Sequence, residues 1–169
     1  MTAIAYKQDV KVLDIISLKM LGAYGFLARV FADFAKHKLS VDMLASSEVS
    51  VSLSLDKKQR MDSIRELIKD MSEYADVTFT ERRSILTLIA DIQRSSEVLS
   101  LVFQVFAACG IQVKMMSQGA SKVNISFLVR DDQLNDAVLQ LHSCFFEDHC
   151  IVPTKQEEGA RSKSGVASP

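Results

Sequence analysis

The segment of this chain best equipped for chemistry is Met20-Leu21-Gly22-Ala23-Tyr24-Gly25-Phe26-Leu27-Ala28, between a short apolar run and an amphipathic one. Two glycines let the backbone turn tightly, and the helix expected after Gly25 offers unpaired N–H groups and a positive dipole end. Such an end holds a carboxylate or a phosphate without a cationic side chain. An ordinary strand-to-helix turn can carry the same glycines. The matching segment later in the chain, Gln93-Arg94-Ser95-Ser96-Glu97, has none, so the fold alone does not demand them. Asp42, flanked by Val41 and Met43, and Glu48, in Ser46-Ser47-Glu48, are acids that the expected topology brings toward the same rim. An acid there would take an ammonium while the helix end takes a carboxylate, a combination suited to a zwitterionic amino acid.

Other reactive residues fall away on spacing. His37, His142 and His149 show no metal-ligand spacing with each other or with the cysteines. His37 lies in Lys36-His37-Lys38 at an expected helix end, where cations favour the dipole and a structural role fits. Cys109, Cys144 and Cys150 are odd in number and form no CxxC pair, which predicts no disulfide framework and a reducing compartment. Cys109 reads as a small buried hydrophobe, and Cys144 and Cys150 as exposed thiols without a neighbouring base. Neither GxGxxG nor GxxxxGK[ST] occurs. Arg82-Arg83 and Lys57-Lys58-Gln59-Arg60 read as solvated linker or helix face.

The 169 residues carry 20 basic and 21 acidic side chains, a balance that argues against a protein living on phosphate neutralisation. The sequence also lacks the aromatic strand of an RNA-recognition motif. No stretch approaches the roughly 20 apolar residues of a membrane span, and residues 1–6 show no secretory leader. Neither a nucleic-acid nor a membrane partner is expected. With 48% apolar residues the chain has material for a core in one medium domain or two small ones.

The elements that must position the loop come in two copies. Val30–Leu44 (VFADFAKHKLSVDML) lies on Val102–Met116 (VFQVFAACGIQVKMM) at an offset of 72, and Ser47–Ser52 lies on Ser121–Ser126 at 74. In the first copy Val12–Leu18 reads as a buried strand. Phe26, Leu27, Val30, Phe31 and Phe34 form a helical stripe, and Leu39–Leu44 a second strand. Val49–Leu55 alternates apolar residues with serine, as a half-exposed strand does. Ile64, Leu67, Ile68 and Met71 mark a second helix and Val77–Phe79 a closing strand. The second copy runs through Ile85–Ile92, Glu97–Cys109, Gln112–Ser117, Val123–Val129 and Leu134–Phe146, with only Ile151-Val152 before Pro153 for its last strand. Ala3–Tyr6 has no slot in the first copy and could fill that place. The pattern predicts an α+β fold of two tandem ferredoxin-like βαββαβ units, antiparallel sheets with helices on one face. The expected bounds are 10–81 and 82–152, with 1–9 lending a strand to the second unit. Residues 153–169 read as a disordered tail.

Three groups of residues carry a family resemblance. Met20-Leu21-Gly22-x-x-Gly25-Phe26-Leu27-Ala28-x-Val30-Phe31, Ser40-Val41-Asp42 and Ser46 through Asp56 resemble the regulatory region of aspartate kinase of the monofunctional, lysine-sensitive type. Gln118–Phe127 and Leu141-His142-Ser143-x-Phe145-Phe146-Glu147 in the second copy resemble the same family. The resemblance implies two ACT domains, the second discontinuous, and a homodimer formed through the first. It implies that free lysine binds between the first ACT domains of two subunits. Met20, Gly22, Ala23, Gly25, Phe26 and Leu27 would form one side of that site, Ser40, Val41 and Asp42 another, and Ser47, Glu48 and Val49 a third. No cofactor or metal is implied, although S-adenosylmethionine is an effector beside lysine in some plant members. The catalytic kinase domain would be the partner of this chain, which alone is not expected to phosphorylate aspartate. The setting implied is the cytoplasm, or the plastid stroma for a plant or alga. Two other classes fit the topology: a ligand-free dimerisation module, and an acylphosphatase-like enzyme, although Gly22–Gly25 lacks the arginine that the latter needs. Lys38 stands where many relatives have glycine, which predicts a helix cap that avoids positive φ.

Overall fold

The computed structural model describes residues 2–17, 24–90, 95–118, 124–147 and 149–151. In chain order the elements are β1 (Ala3–Ile16), α1 (Phe26–Lys36), β2 (Val41–Ser46), β3 (Ser50–Leu55) and α2 (Met61–Met71), then β4 (Asp76–Ile89), α3 (Ser95–Ala108), β5 (Met115–Gln118), β6 (Asn124–Arg130) and α4 (Asp131–Phe146). The six strands form one antiparallel sheet in the order β2-β3-β1-β4-β6-β5. This is the ferredoxin-like α+β arrangement met twice, with a difference from the strand-by-strand expectation. The runs expected as separate strands merge into two of 14 residues each, β1 and β4. The far half of each lies in the leading half of the sheet and the near half in the trailing half, or the reverse: Ile16 pairs with Asp76 at one end and Ala3 with Ile89 at the other.

The merger has a local cause. Between Lys7 and Val10 the pairing gains a residue on β1, and between Val10 and Val12 it gains one on β4. At these bulges Asp9 and Arg82 adopt φ of 57° and 56°. Each bulge shifts the in–out alternation by one and bends its strand. Arg82-Arg83 therefore belongs to the middle of a strand, correcting its reading as linker or helix face.

The alternation explains the three apolar clusters. Leu13 and Ile15 face α1 and α2 with Val51, Leu53 and Leu55. Beyond the bulges Leu86 and Leu88 face α3 and α4 with Ile125, Phe127 and Val129. The helix-free faces of the two halves meet in a third cluster of strand residues alone: Val10, Val12, Met43, Ile85, Met115 and Leu128. Strands β2 and β5, at opposite ends of the strand order, consequently touch. Passing a strand from one packed layer to the other through a bulge is how such corners are built. Equivalent positions of the two copies are buried alike, Val30 with Val102, Phe34 with Phe106 and Met43 with Met115.

Two further expectations are corrected. Lys38 does adopt a positive φ, 56°, where the second copy has Gly110 at 66°. Leu39 N–H donates to Phe34 C=O (2.9 Å) and Lys38 N–H to Ala35 C=O (3.1 Å), and Ile111 and Gly110 repeat both bonds to Phe106 and Ala107. Both helices thus end in the same left-handed cap, anchored by the buried Leu39 and Ile111. Cys144 and Cys150 form a disulfide, leaving Cys109 as the free cysteine. Their separation of six residues let the end of α4 turn back on itself, a contact that cysteine counting does not register. The expected tail, 153–169, lies outside the described residues.

Candidate functional site

Of the loop residues singled out in the sequence, Met20, Gly22 and Ala23 lie outside the described residues. Gly25 is the residue before α1, at φ 83° and ψ 6°, with no side-chain hydrogen bond capping the helix and no acid in its first turn. An added Cβ would meet nothing within 4 Å, so the demand for glycine comes from the backbone conformation alone. The first turn of a helix presents N–H groups and a positive dipole end, and among the described residues no side chain caps α1 at Gly25.

Phe26 and α1 are held by a cluster that sequence reading did not find. The Tyr74 hydroxyl donates to Asp33 Oδ2 at 2.6 Å, the Arg29 guanidinium lies 3.8 Å over the Tyr74 ring, and Phe26 packs edge-on to it at 5.9 Å. Burial first, then the hydrogen bond to Asp33, pushes the Tyr74 hydroxyl far above its ordinary range, so it stays a donor. The spacing of Arg29 and Asp33 on one helix face was the available signal, but their partner is 41 residues beyond Asp33. At the other end of α1, His37 Nε2 and Lys36 Nζ lie 2.8 Å and 2.6 Å from Asp70 Oδ2 of α2. The structural reading of His37 fits this placement.

Ser47, Glu48 and Val49 share the rim of Gly25. They form the β2–β3 turn, closed by Ser47 N–H to Ser50 C=O at 2.8 Å. Ser17, at the exit of β1, donates its N–H to Val49 C=O (2.9 Å) and its hydroxyl to Tyr74 C=O (3.1 Å). Ser40, Val41 and Asp42 do not share it. Val41 pairs with Leu55 and Ser46 with Val51, so β2 runs away from this rim. Asp42 is four residues from Ser46, roughly 14 Å along a strand at about 3.4 Å per residue. The expectation that the topology brings Asp42 to this rim is therefore corrected, because Asp42 stands near the start of strand two, at the opposite end of the sheet, while the end of that strand at Ser46 pairs with Val51 beside the rim.

Asp42 occupies an irregularity between Val41 and Met43 on the edge strand β2. Its Oδ2 lies 2.7 Å from Lys7 Nζ, which also lies 2.7 Å from Asp56 Oδ2. Burial depresses Lys7, but the two carboxylates outweigh it and the ammonium is held above its ordinary value. Asp56 is held below its own, first by the backbone N–H of Lys58 and then by Lys7. Among the described residues no group of histidine, cysteine and acidic side chains is placed to hold a metal ion, and no helix is long and apolar enough to cross a membrane.

Two βαββαβ copies that share one sheet define a tandem ferredoxin-like module, with a glycine-bent helix start in the first copy and acids around its edge strand. Residues 90–145 match the model of the ACT domain. The chain is 47% identical over 155 residues to the chloroplastic aspartokinase 2 of Arabidopsis thaliana, covering 87% of this chain and 28% of the relative. It is 32% identical over 145 residues to the aspartokinase of Saccharomyces cerevisiae, covering 84% and 28%. Among solved structures, E. coli aspartokinase III in complex with lysine and aspartate superposes with a TM-score of 0.74 at 33% identity, over 85% of this chain and 33% of that one. The chain belongs to the aspartokinase family and corresponds to its C-terminal regulatory region, spanning under a third of the relatives' length.

Proposed function

We propose that this region binds free lysine between the first ACT units of two copies and thereby controls phosphorylation of aspartate by the catalytic part of the parent enzyme. The observation that carries the reading is the split of the candidate residues between the two ends of an open edge strand. Among the described residues the outer backbone edge of β2 has no neighbour in the sheet order. Leu44 of this strand is 37% exposed, and Phe31 of α1 is 40% exposed. A second copy laying its own β2 antiparallel along this edge would carry Asp42 of the partner subunit to the rim of Gly25, Ser47 and Glu48. Neither chain holds that set alone; the dimer does. The lysine carboxylate then meets the first turn of α1, and the acids take its ammonium groups.

The regulatory consequence follows from linkage. A ligand shifts an equilibrium only by its preference between states, and a typical coupling of about 1–3 kcal/mol corresponds to roughly 5- to 150-fold inhibition. E. coli aspartokinase III, solved both with lysine and aspartate in a T-state and with aspartate and ADP in an R-state, supports two such arrangements for the family. The chloroplastic relatives support the plastid stroma as the setting, with the cytoplasm as the alternative for a non-plastid source.

Calorimetry on the chain with lysine, threonine and S-adenosylmethionine tests the reading. Lysine is expected to bind one dimer interface. Glu48→Ala and Asp42→Ala are each expected to weaken binding at least tenfold, about 1.4 kcal/mol. A ligand-free dimerisation module predicts no heat with any of the three and no effect of either substitution.

A further inference from the structure

A second place in the fold is built for a small polar ligand, away from the glycine corner. The strand register puts Ala5 opposite Thr87, Thr87 opposite Ser126, and Ser126 opposite Ser117, a single row across all four strands of the trailing half. The adjacent row is Lys7, Ile85, Leu128 and Met115. Partners in register share a face, and here it is the helix-free one. The large members of the Lys7 row fill the cluster between the two halves. The small members of the Ala5 row cannot, and a cavity of about 510 Å³ opens over them, roofed by Met43 and Leu44 of β2. The opening is written in side-chain size, one row of bulky residues followed by one of alanine, threonine and serines.

The trough is chemically two-ended. Along it lie hydroxyls: Thr87 Oγ1 and Ser126 Oγ hydrogen-bond to each other at 2.9 Å, with Ser117 next in the row. Lys7 and Asp42 also line the trough, their side chains 39% and 27% exposed. Lys7 is shared between Asp42 and Asp56, so three charges carry a net −1. A ligand ammonium that displaces Lys7 from Asp42 leaves Lys7 paired with Asp56 and supplies the missing positive charge. The hydroxyl row then donates to a carboxylate, and Met43, Leu44 and Ile85 cover an apolar side chain. We propose that the trough between the two sheet halves is a second ligand site, taking a free α-amino acid with its ammonium at Asp42 and its carboxylate on the Ser117–Ser126–Thr87 row. This site is distinct from the β2 interface, with which it shares Asp42 and Leu44.

The discriminating substitutions therefore avoid Asp42. The amide spectrum of the isotope-labelled 169-residue chain is recorded while lysine, threonine, methionine and leucine are titrated one at a time. With at least one of them, the amides of Lys7, Thr87, Ser117 and Ser126 are expected to shift saturably. Ser126→Leu, which fills the row, should weaken that binding at least tenfold, and Ser117→Leu on the edge strand should do the same if the first variant folds poorly. Glu48→Ala should leave it unchanged while weakening the interface binding at least tenfold. Trough amides that stay still with all four amino acids overturn the proposal, as do shifts that persist at unchanged affinity in a folded Ser126→Leu or Ser117→Leu chain. Failure of the lysine interface shows itself separately, as loss of the Glu48-dependent binding with the trough shifts intact.

Discussion

The duplicated chain contains its own controlled experiment on backbone strain. Lys38 and Gly110 hold the same position in the two copies, 72 residues apart, at φ of 56° and 66° with matching hydrogen bonds behind them. An L-residue in the left-handed region costs roughly 1–2 kcal/mol, and glycine escapes that cost while losing somewhat more backbone entropy on folding. Lys38 is exposed, so its replacement removes little packing. Lys38→Gly is therefore expected to stabilise the chain by about 0.5–1 kcal/mol. Gly110→Ala should destabilise it by about 1 kcal/mol, because the added Cβ meets nothing within 4 Å and only the backbone term changes. The Gln133 Nε2 bond to Gly110 C=O, at 2.9 Å, is to the backbone and survives the change. For a chain of this size 1 kcal/mol is about 2–4 °C in Tm. Thermal melts of the two variants, with urea unfolding to confirm an unchanged m-value, measure both effects. A Lys38→Gly chain that melts below the parent, or a Gly110→Ala chain that melts with it, refutes the argument that the two caps share one strained geometry.

Three more outcomes are expected. Phe127 is fully buried, with Phe103 and Phe106 edge-on to it at 5.9 Å and 5.5 Å, so Phe127→Ala should cost about 3–5 kcal/mol in urea unfolding. Asp70 is held below its ordinary value of 3.8, first by Lys36 and then by His37. Its folded pKa is depressed, so its contribution is present above pH 3.8 and fades as pH falls through the folded value; a chain with Asp70→Asn should lose that part of the acid dependence below pH 3.8. In denaturant without reductant, thiol titration should count one group, Cys109, and after reduction three; three before reduction would remove the Cys144–Cys150 bond.

Much of the fold was legible because short-range patterns carry it. The stripe Phe26–Phe34, the serine alternation of Val49–Leu55 and the repeated Val-Phe-x-x-Phe motif each report a local period, and a period fixes which side of an element is buried. Gly25 was legible for the same reason, since a positive φ constrains residue type on the spot. Tertiary structure decided the rest. Whether Val77–Phe79 and Ile85 onward are two strands or one depends on bulges at Asp9 and Arg82, which neither residue type announces. The partners of Asp42 and Asp33, Lys7 and Tyr74, lie 35 and 41 residues away. The row Ala5–Thr87–Ser126–Ser117 exists only once four strands are in register. Periodicity constrains a residue relative to its neighbours in the chain, whereas a site is a coincidence of distant segments that only the folded pairing brings about.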